Sequence, residues 1–278
     1  MEKIKEAIER AAEKREFLGS KDFVDLARPT HTQQRSFQAI KAESVSDSKI
    51  AYPISYESTH VHEVDEQWLK THRVLHAGSD AEIMRAYKLL RTQVLKKLAS
   101  NDWNSLGVIG ARSGQGSTLT AINLAVSIAM EYRYTVMLAD FNLRTPMVHE
   151  YFNFEPVLGV SDYILHDEPV QEMLFNPGIE SLVVLPGREA FDNSSERLMS
   201  PKVQQLVEDI KHRYPTRIVI FDLPPLLESD DAIAFIDQFD AGLLVIEEAK
   251  TTKSDIKTMS ELLGDKPILG TILNNASG

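Results

Sequence analysis

The stretch that decides the fold is Ser105-Leu-Gly-Val-Ile-Gly-Ala-Arg-Ser-Gly-Gln-Gly-Ser-Thr118, an apolar run followed by a glycine-rich turn. Residues 105–110 are typical of a parallel strand buried on both faces, because the run is not interrupted by charge. Gly114 and Gly116 allow the backbone to curl so that successive N–H groups converge on an anion at the start of a helix. The stretch therefore predicts a phosphate-binding turn between a strand and a helix.

The same alternation of strand and helix continues on both sides of this turn. A helix capped by Ser79 or Asp80 precedes it, with apolar residues every three or four positions up to Leu98. The predicted strands are Ser105–Gly110, Thr135–Asp140, Ser181–Leu185, Arg217–Asp222, Gly242–Ile246 and Ile268–Leu273. The predicted helices between them are Ala121–Met130, Lys202–His212, Ala232–Phe239 and Ser254–Leu263. This pattern predicts an α/β fold of the P-loop NTPase type, a doubly wound, mostly parallel sheet with flanking helices.

The first 78 residues have a different character. Residues 1–18 carry a thin apolar stripe at helical spacing, and residues 19–78 show no sustained period and are rich in Ser, Thr, His and Gln. We expect a short helix and a flexible linker over residues 1–78, and the nucleotide-binding domain over residues 79–278.

Composition excludes several classes of protein. The 278 residues include 30 Lys and Arg against 41 Asp and Glu, a net charge of −11, which disfavours nucleic acid as a partner. There is no cysteine, so disulfides, thiolate nucleophiles and cysteine zinc sites are excluded. No apolar run approaches the roughly 18–20 residues of a membrane span, and we expect a cytoplasmic protein.

The phosphate turn departs from the standard motif GxxxxGK[ST] at one position. Gly116 and Thr118 match that motif, but Ser117 stands where the lysine belongs. Two other predicted strands end in acids, Asp140 and Asp222, at the same edge of the sheet. A carboxylate at the end of a buried strand is costly unless it serves a function, and holding Mg²⁺ beside nucleotide phosphates is a common one.

With these features in order, the segment from about residue 79 to 275 resembles the bacterial tyrosine autokinases of exopolysaccharide and capsule synthesis, and more narrowly their exosortase-associated branch. The matching residues are Arg91–Gln93, Gly114–Thr118, Ala121–Ala125, Asp140–Pro146, Ser200–Pro201, Asp222–Pro225, Lys250–Thr252, Gly270–Asn274 and the N-terminal helix.

The resemblance implies ATP or ADP with Mg²⁺ as cofactors and assigns roles to single residues. The nucleotide site would comprise the loop Gly114, Gln115, Gly116, Ser117 and Thr118, with Arg112 beside it and Asn274 at the adenine. Thr118, Asp140 and Asp222 would hold the metal. Asp140, Asp222 and Arg144 would form the catalytic set, Asp140 assisting the metal or accepting the proton of the acceptor hydroxyl.

Several departures from the family pattern bear on activity. Asn142 replaces the second acid of the DxD pattern, and no tyrosine follows Tyr214, whereas the autokinases carry a C-terminal tyrosine cluster. Tyr52 and Tyr56 are alternative acceptors. The oligomerisation motif ExxRxxR on the leading helix becomes Arg85, Lys88 and Arg91, which reverses the sign of its first member.

Three functions remain open at this stage. We favour an ATP-binding regulator of exopolysaccharide synthesis or export whose phosphotransfer is weakened by Ser117. One alternative is an active tyrosine autokinase in which Arg112, five residues before Ser117, replaces the lysine; the other reading of Arg112 is a solvent-facing loop residue. The third is a partitioning-type ATPase that positions another complex.

The expected partner follows from the resemblance. It is a membrane polysaccharide co-polymerase, or chain-length determinant, on a separate chain. A homo-oligomer of this protein is a further possible assembly. Such a partner would place the protein peripherally at the inner membrane.

Overall fold

A computed structural model of the chain describes residues 59–276. The predicted N-terminal helix, Tyr52 and Tyr56 lie outside the described residues. No helix within residues 59–276 is long and apolar enough to span a membrane.

Within residues 59–276, eight strands form one sheet in the order β1-β4-β5-β3-β6-β2-β7-β8. Their bounds are β1 His60–Val61, β2 Ser105–Gly110, β3 Thr135–Asp140, β4 Phe175–Asn176, β5 Leu182–Leu185, β6 Arg217–Leu223, β7 Ala241–Glu247 and β8 Ile268–Asn274. Neighbouring strands are parallel except β4 and β5. The predicted fold class is confirmed, and all six predicted strands are present within one residue at either end.

Helices cover both faces of this sheet. The α-helices are α1 Glu66–Thr71, α2 Ala81–Ser100, α3 Ser117–Ala129, α4 Val160–His166, α5 Val170–Met173, α6 Ser194–Leu198, α7 Pro201–His212, α8 Asp231–Ala234 and α9 Lys253–Leu263. In the described part of the chain, 3₁₀ turns lie at Val148–Phe152 and Ile236–Gln238. One apolar core, between the sheet and α2 and α3, includes Val94 and Leu98; the other, beneath α7 and α9, includes Leu206 and Met259. The sheet is therefore buried on both faces, as its apolar strands predict.

The predicted helix Ala232–Phe239 is not continuous. It divides into α8 and the turn Ile236–Gln238, with Phe235 between them. The ring of Phe235 packs 4.6 Å from that of Phe141 and 5.1 Å from that of Phe221, measured between centroids. Phe235 and Phe239 are both fully buried, so the apolar spacing that suggested one helix comes from two turns filling the same core.

The predicted linker is too long. Residues 59–78 belong to the same compact unit as the sheet, and Val74 and Leu75 are 1% and 2% exposed. The side chain of Asn123 on α3 explains this docking, because its Oδ1 accepts from Leu75 N at 2.8 Å and its Nδ2 donates to Arg73 O at 3.0 Å. A boundary at residue 78 would therefore cut through packed and hydrogen-bonded chain.

Candidate functional site

The phosphate turn joins β2 to α3 at the carboxyl edge of the sheet. Gly114 and Gly116 have φ of 75° and 85°, in the left-handed region that glycine adopts without steric cost. Gly116 is the N-cap of α3 and has no side chain that could accept from the first N–H groups of the helix. These N–H groups are therefore uncapped, although α3 is buried over most of its length. The helix starts at Ser117, four residues earlier than predicted, because its first turn is polar and has no capping signal. Uncapped N–H groups at a helix start favour an anion.

Gln115 fixes the turn in place. Its side chain is 3% exposed; Oε1 accepts from Arg112 N at 3.1 Å and Nε2 donates to Thr251 Oγ1 at 3.1 Å. The Asn274 amide donates to Gln115 O at 2.9 Å. A Cβ on Gly116 would lie 2.2 Å from Asn274 Nδ2, so only glycine fits beneath that amide. The turn is therefore held to the ends of β7 and β8, and Asn274 supports it directly.

Thr118 and Asp222 meet inside the turn. The Thr118 hydroxyl donates to Asp222 Oδ2 at 2.8 Å, across 104 positions of sequence. Asp222 is fully buried, and its other oxygen, Oδ1, has no hydrogen-bond partner. An unpartnered buried carboxylate oxygen is costly without a ligand, so this atom is free to take a cation.

Asp140 lies beside Asp222 and differs from it in hydrogen bonding. The two residues are paired in register on β3 and β6. Asp140 Oδ2 accepts from the N–H groups of Met147 and Val148 at 2.9 and 3.0 Å, and Oδ1 accepts from Asn142 N at 3.2 Å. Three backbone donors therefore fix the Asp140 carboxyl group.

Burial controls the protonation of both acids. Desolvation raises the pKa of Asp140 to about 7, although its three backbone hydrogen bonds oppose the shift. Desolvation, and next the negative charge of Asp140, raise the pKa of Asp222 well above its usual range. Two buried carboxyl groups in adjacent register positions disfavour double ionisation, so a cation or a proton stabilises the pair.

The residues present fit Mg²⁺. The set consists of the Thr118 hydroxyl and the free oxygen of Asp222, with Asp140 alongside, and hydroxyl and carboxylate oxygens are the ligands that Mg²⁺ takes in phosphate sites. When bound there, the ion would neutralise charge on the nucleotide phosphates.

Ser117 lies over the end of β2. A Cβ on Gly110 would be 2.9 Å from Ser117 Oγ, so the short hydroxyl side chain covers that glycine. Arg112 is turned to α9, where its NH2 lies 2.9 Å from Asp255 Oδ1, and its side chain is 48% exposed. The basic side chain nearest to Ser117 in the turn sequence is therefore neutralised within the chain.

Arg144 is also paired. Its Nε donates to Asp231 Oδ2 at 2.8 Å, and Asp231 is fully buried and accepts from Ser194 Oγ at the same distance. The hydrogen bond with Asp231 raises the pKa of Arg144 further above its usual value. In this geometry Arg144 anchors the segment after β3 to α6 and α8; its catalytic role stays a prediction.

Known proteins resemble this chain over most of its length. No family model matches it. Tyrosine-protein kinase YwqD of Bacillus subtilis (strain 168) is 30% identical over 190 residues, which are 68% of this chain and 79% of that protein. This chain belongs to the bacterial tyrosine-protein kinase family. The kinase domain of Escherichia coli tyrosine kinase ETK superposes with a TM-score of 0.65 at 25% identity, covering 79% of this chain and 89% of that one.

The fold is shared more widely than the family. The cell division ATPase MinD of Pyrococcus furiosus superposes with a TM-score of 0.52 at 18% identity, covering 61% of this chain and 71% of that structure. At this identity the likeness shows a common fold alone, the doubly wound α/β sheet with flanking helices.

The predicted oligomer-interface residues of this kinase-family chain separate into two groups. Arg85 and Lys88 are exposed on α2. Arg91 instead donates to Ser127 O at 2.8 Å, near the end of α3, and lies 3.7 Å from Glu131. Its side chain is only 15% exposed, so Arg91 stabilises the α2–α3 contact and presents little surface to a second chain.

Two site residues were missed in the sequence. Asp231 is the buried partner of Arg144, and Glu228 accepts a hydrogen bond from Ser113 Oγ in the phosphate turn at 2.5 Å. Both follow Asp222 within nine residues, and their closeness in sequence to the Asp222–Pro225 motif was the available signal. An acid in a polar segment gives no periodicity that would distinguish it from a solvated residue.

Proposed function

We propose that this chain is an ATP-binding regulator of exopolysaccharide synthesis or export in which tyrosine phosphotransfer is weakened. Support for binding comes from the uncapped start of α3 and from the Thr118–Asp222 pair, whose free oxygen suits Mg²⁺. The observation that carries the weakened transfer is Ser117, a short hydroxyl side chain over Gly110 where an ammonium group belongs.

Nucleotide binding is tested by calorimetry on the whole chain with ADP and ATP in the presence of Mg²⁺. We expect micromolar to millimolar dissociation constants, because the backbone amides and the metal still act on the phosphates. Asp222→Ala should reduce binding and abolish its dependence on Mg²⁺. Absence of heat at millimolar nucleotide would refute the proposed binding function.

Phosphotransfer needs a separate assay. After incubation with Mg²⁺ and ATP, mass spectrometry should detect little or no phosphotyrosine, including at Tyr52 and Tyr56. Phosphotyrosine that accumulates in the original protein and disappears in Asp140→Ala would overturn the weakened-transfer proposal and leave an active autokinase.

The active-kinase alternative depends on Arg112. This side chain is half exposed, and among the described residues it is held by an ion pair with Asp255, which rotation towards the phosphates would break. If Arg112 supplies the missing charge, Arg112→Ala should abolish turnover and phosphotyrosine. The partitioning-type ATPase remains the other candidate, because the fold is similar to that of MinD. The sequence similarity to the tyrosine-protein kinase YwqD favours the regulator over this ATPase.

The proposed partner is a membrane polysaccharide co-polymerase acting from a separate chain. Its cytoplasmic tail would recruit this protein to the inner membrane, and exposed Arg85 and Lys88 would contribute to homo-oligomer contacts. Turnover and sedimentation measured with and without a candidate tail test both statements. We expect the tail to raise turnover or shift the oligomeric state, while Arg85→Glu with Lys88→Glu should weaken self-association.

A further inference from the structure

The chain that leaves β6 returns to the phosphate turn. Leu226 N donates to Gly110 O at 3.0 Å and Leu227 N donates to Ala111 O at 3.2 Å, so this segment lies along the beginning of the turn. At the next position, Glu228 Oε2 accepts from both Ser113 N at 3.2 Å and Ser113 Oγ at 2.5 Å. An acidic side chain therefore binds a backbone N–H of the turn.

This position matters because amides in such turns bind anions. Glu228 is exposed and supplies an internal anion to the Ser113 N–H. It follows, by six positions in the sequence, Asp222, whose carboxylate oxygen Oδ1 has no hydrogen-bond partner. Glu228 therefore competes with a phosphate oxygen for an N–H group of the turn.

We propose that Glu228 is a specificity-determining residue that favours nucleoside diphosphate over triphosphate. Its carboxylate repels the additional phosphate of ATP and holds the Ser113 N–H that a phosphate oxygen would use. ADP has no group at that end and is affected less. This inference rests on the proposed nucleotide-binding function.

The expected effect is measurable. One unit charge about 6 Å from the extra charge of ATP, at an effective dielectric constant of about 40, changes the ratio of ATP to ADP affinity about tenfold. Because Glu228 is exposed, salt should reduce that change.

The test compares Glu228→Gln with the original protein. Glutamine keeps an oxygen that can accept from Ser113 and removes only the charge. Glu172→Gln, an exposed acid on α5, is the matched control because it changes the net charge equally. Calorimetry with MgATP and MgADP at low and high salt gives the affinity ratio for each variant.

We expect Glu228→Gln to raise the ATP to ADP affinity ratio about tenfold at low salt, less at high salt, and the control to leave it unchanged. If both nucleotides bind and the ratio is unchanged, the inference is wrong while the proposed function stands. Weaker ATP binding in Glu228→Gln would also overturn it, since Glu228 would then assist the metal. If neither nucleotide binds the original protein or the variant, both the inference and the proposed function fail.

Discussion

Replacing Ser117 with lysine tests what the missing cation costs. An ammonium group about 4 Å from a phosphoryl oxygen contributes roughly 4 kcal/mol at an effective dielectric constant near 20. Two features of this site reduce the gain in binding. The new ammonium must be desolvated, and before nucleotide arrives it is attracted by the buried acids Asp140 and Asp222. We therefore expect nucleotide affinity to rise about 10- to 100-fold, or roughly 1.4–2.8 kcal/mol.

Turnover should respond more than affinity. Charge moves onto the transferred phosphoryl group during the reaction, so the lysine acts more strongly in the transition state than in the bound state. An increase of up to about a thousandfold in hydrolysis is consistent with the full 4 kcal/mol. Phosphate release is the appropriate assay because it needs no acceptor tyrosine, and calorimetry on the same protein gives the affinity.

The control for Ser117→Lys is Ser117→Gln. Both substitutions replace the serine hydroxyl above Gly110 with a longer side chain, but glutamine carries no charge. The lysine variant should exceed the glutamine variant in affinity and turnover, and salt should reduce the difference only modestly because a pocketed charge is poorly screened. Equal behaviour of the two variants would refute the reasoning. Loss of turnover in Arg112→Ala would then identify Arg112 as the acting cation.

Four further predictions concern stability. Burial raises the pKa of Asp140 to about 7, so the folded protein binds more protons than the unfolded chain between about pH 4 and 7. The free energy of unfolding should therefore fall as pH rises through that range, by up to about 4 kcal/mol. Asp222→Asn removes the charge beside Asp140. It should raise the free energy of unfolding at pH 8 by about 2 kcal/mol, and with it the melting temperature, in thermal unfolding monitored at pH 5 and 8. Gly116→Ala should destabilise by about 2–4 kcal/mol in urea titration, whereas Gly114→Ala, with nothing within 4 Å of its Cβ, should cost only the backbone strain of about 1 kcal/mol. Leu75→Ala should cost about 2–5 kcal/mol in the same titration; a negligible effect would show that residues 59–78 are not part of the folded core.

The strands could be predicted because burial on both faces leaves an unbroken apolar run in the sequence. β2 and β3 match their predicted ends because a charged or glycine-rich turn follows each. β1 and α1 were missed for the opposite reason. A strand of two residues and a helix of six are too short for periodicity, and their segment is docked by Asn123, some fifty positions away.

The site shows the same division between local and distant information. Thr118 and Asp222 each follow a predicted strand, and the carboxyl ends of parallel strands share an edge, so their meeting could be expected. The bond from Gln115 to Thr251 spans 136 positions and joins two polar side chains that carry no periodic pattern. Such contacts follow from the tertiary fold and not from the spacing of either residue.

Burial raises the pKa of the acid pair, and the phosphate turn supplies no lysine that would oppose this effect. A phosphate turn with its lysine brings one positive charge close to two carboxylates. Here Ser117 brings none, and Arg112 is paired with Asp255. Asp140 and Asp222 must then be compensated by a proton or by a metal ion. Binding of Mg²⁺ with nucleotide would displace that proton, so affinity should increase as pH rises through about 7, and Ser117→Lys should weaken this dependence because the ammonium compensates the pair at every pH.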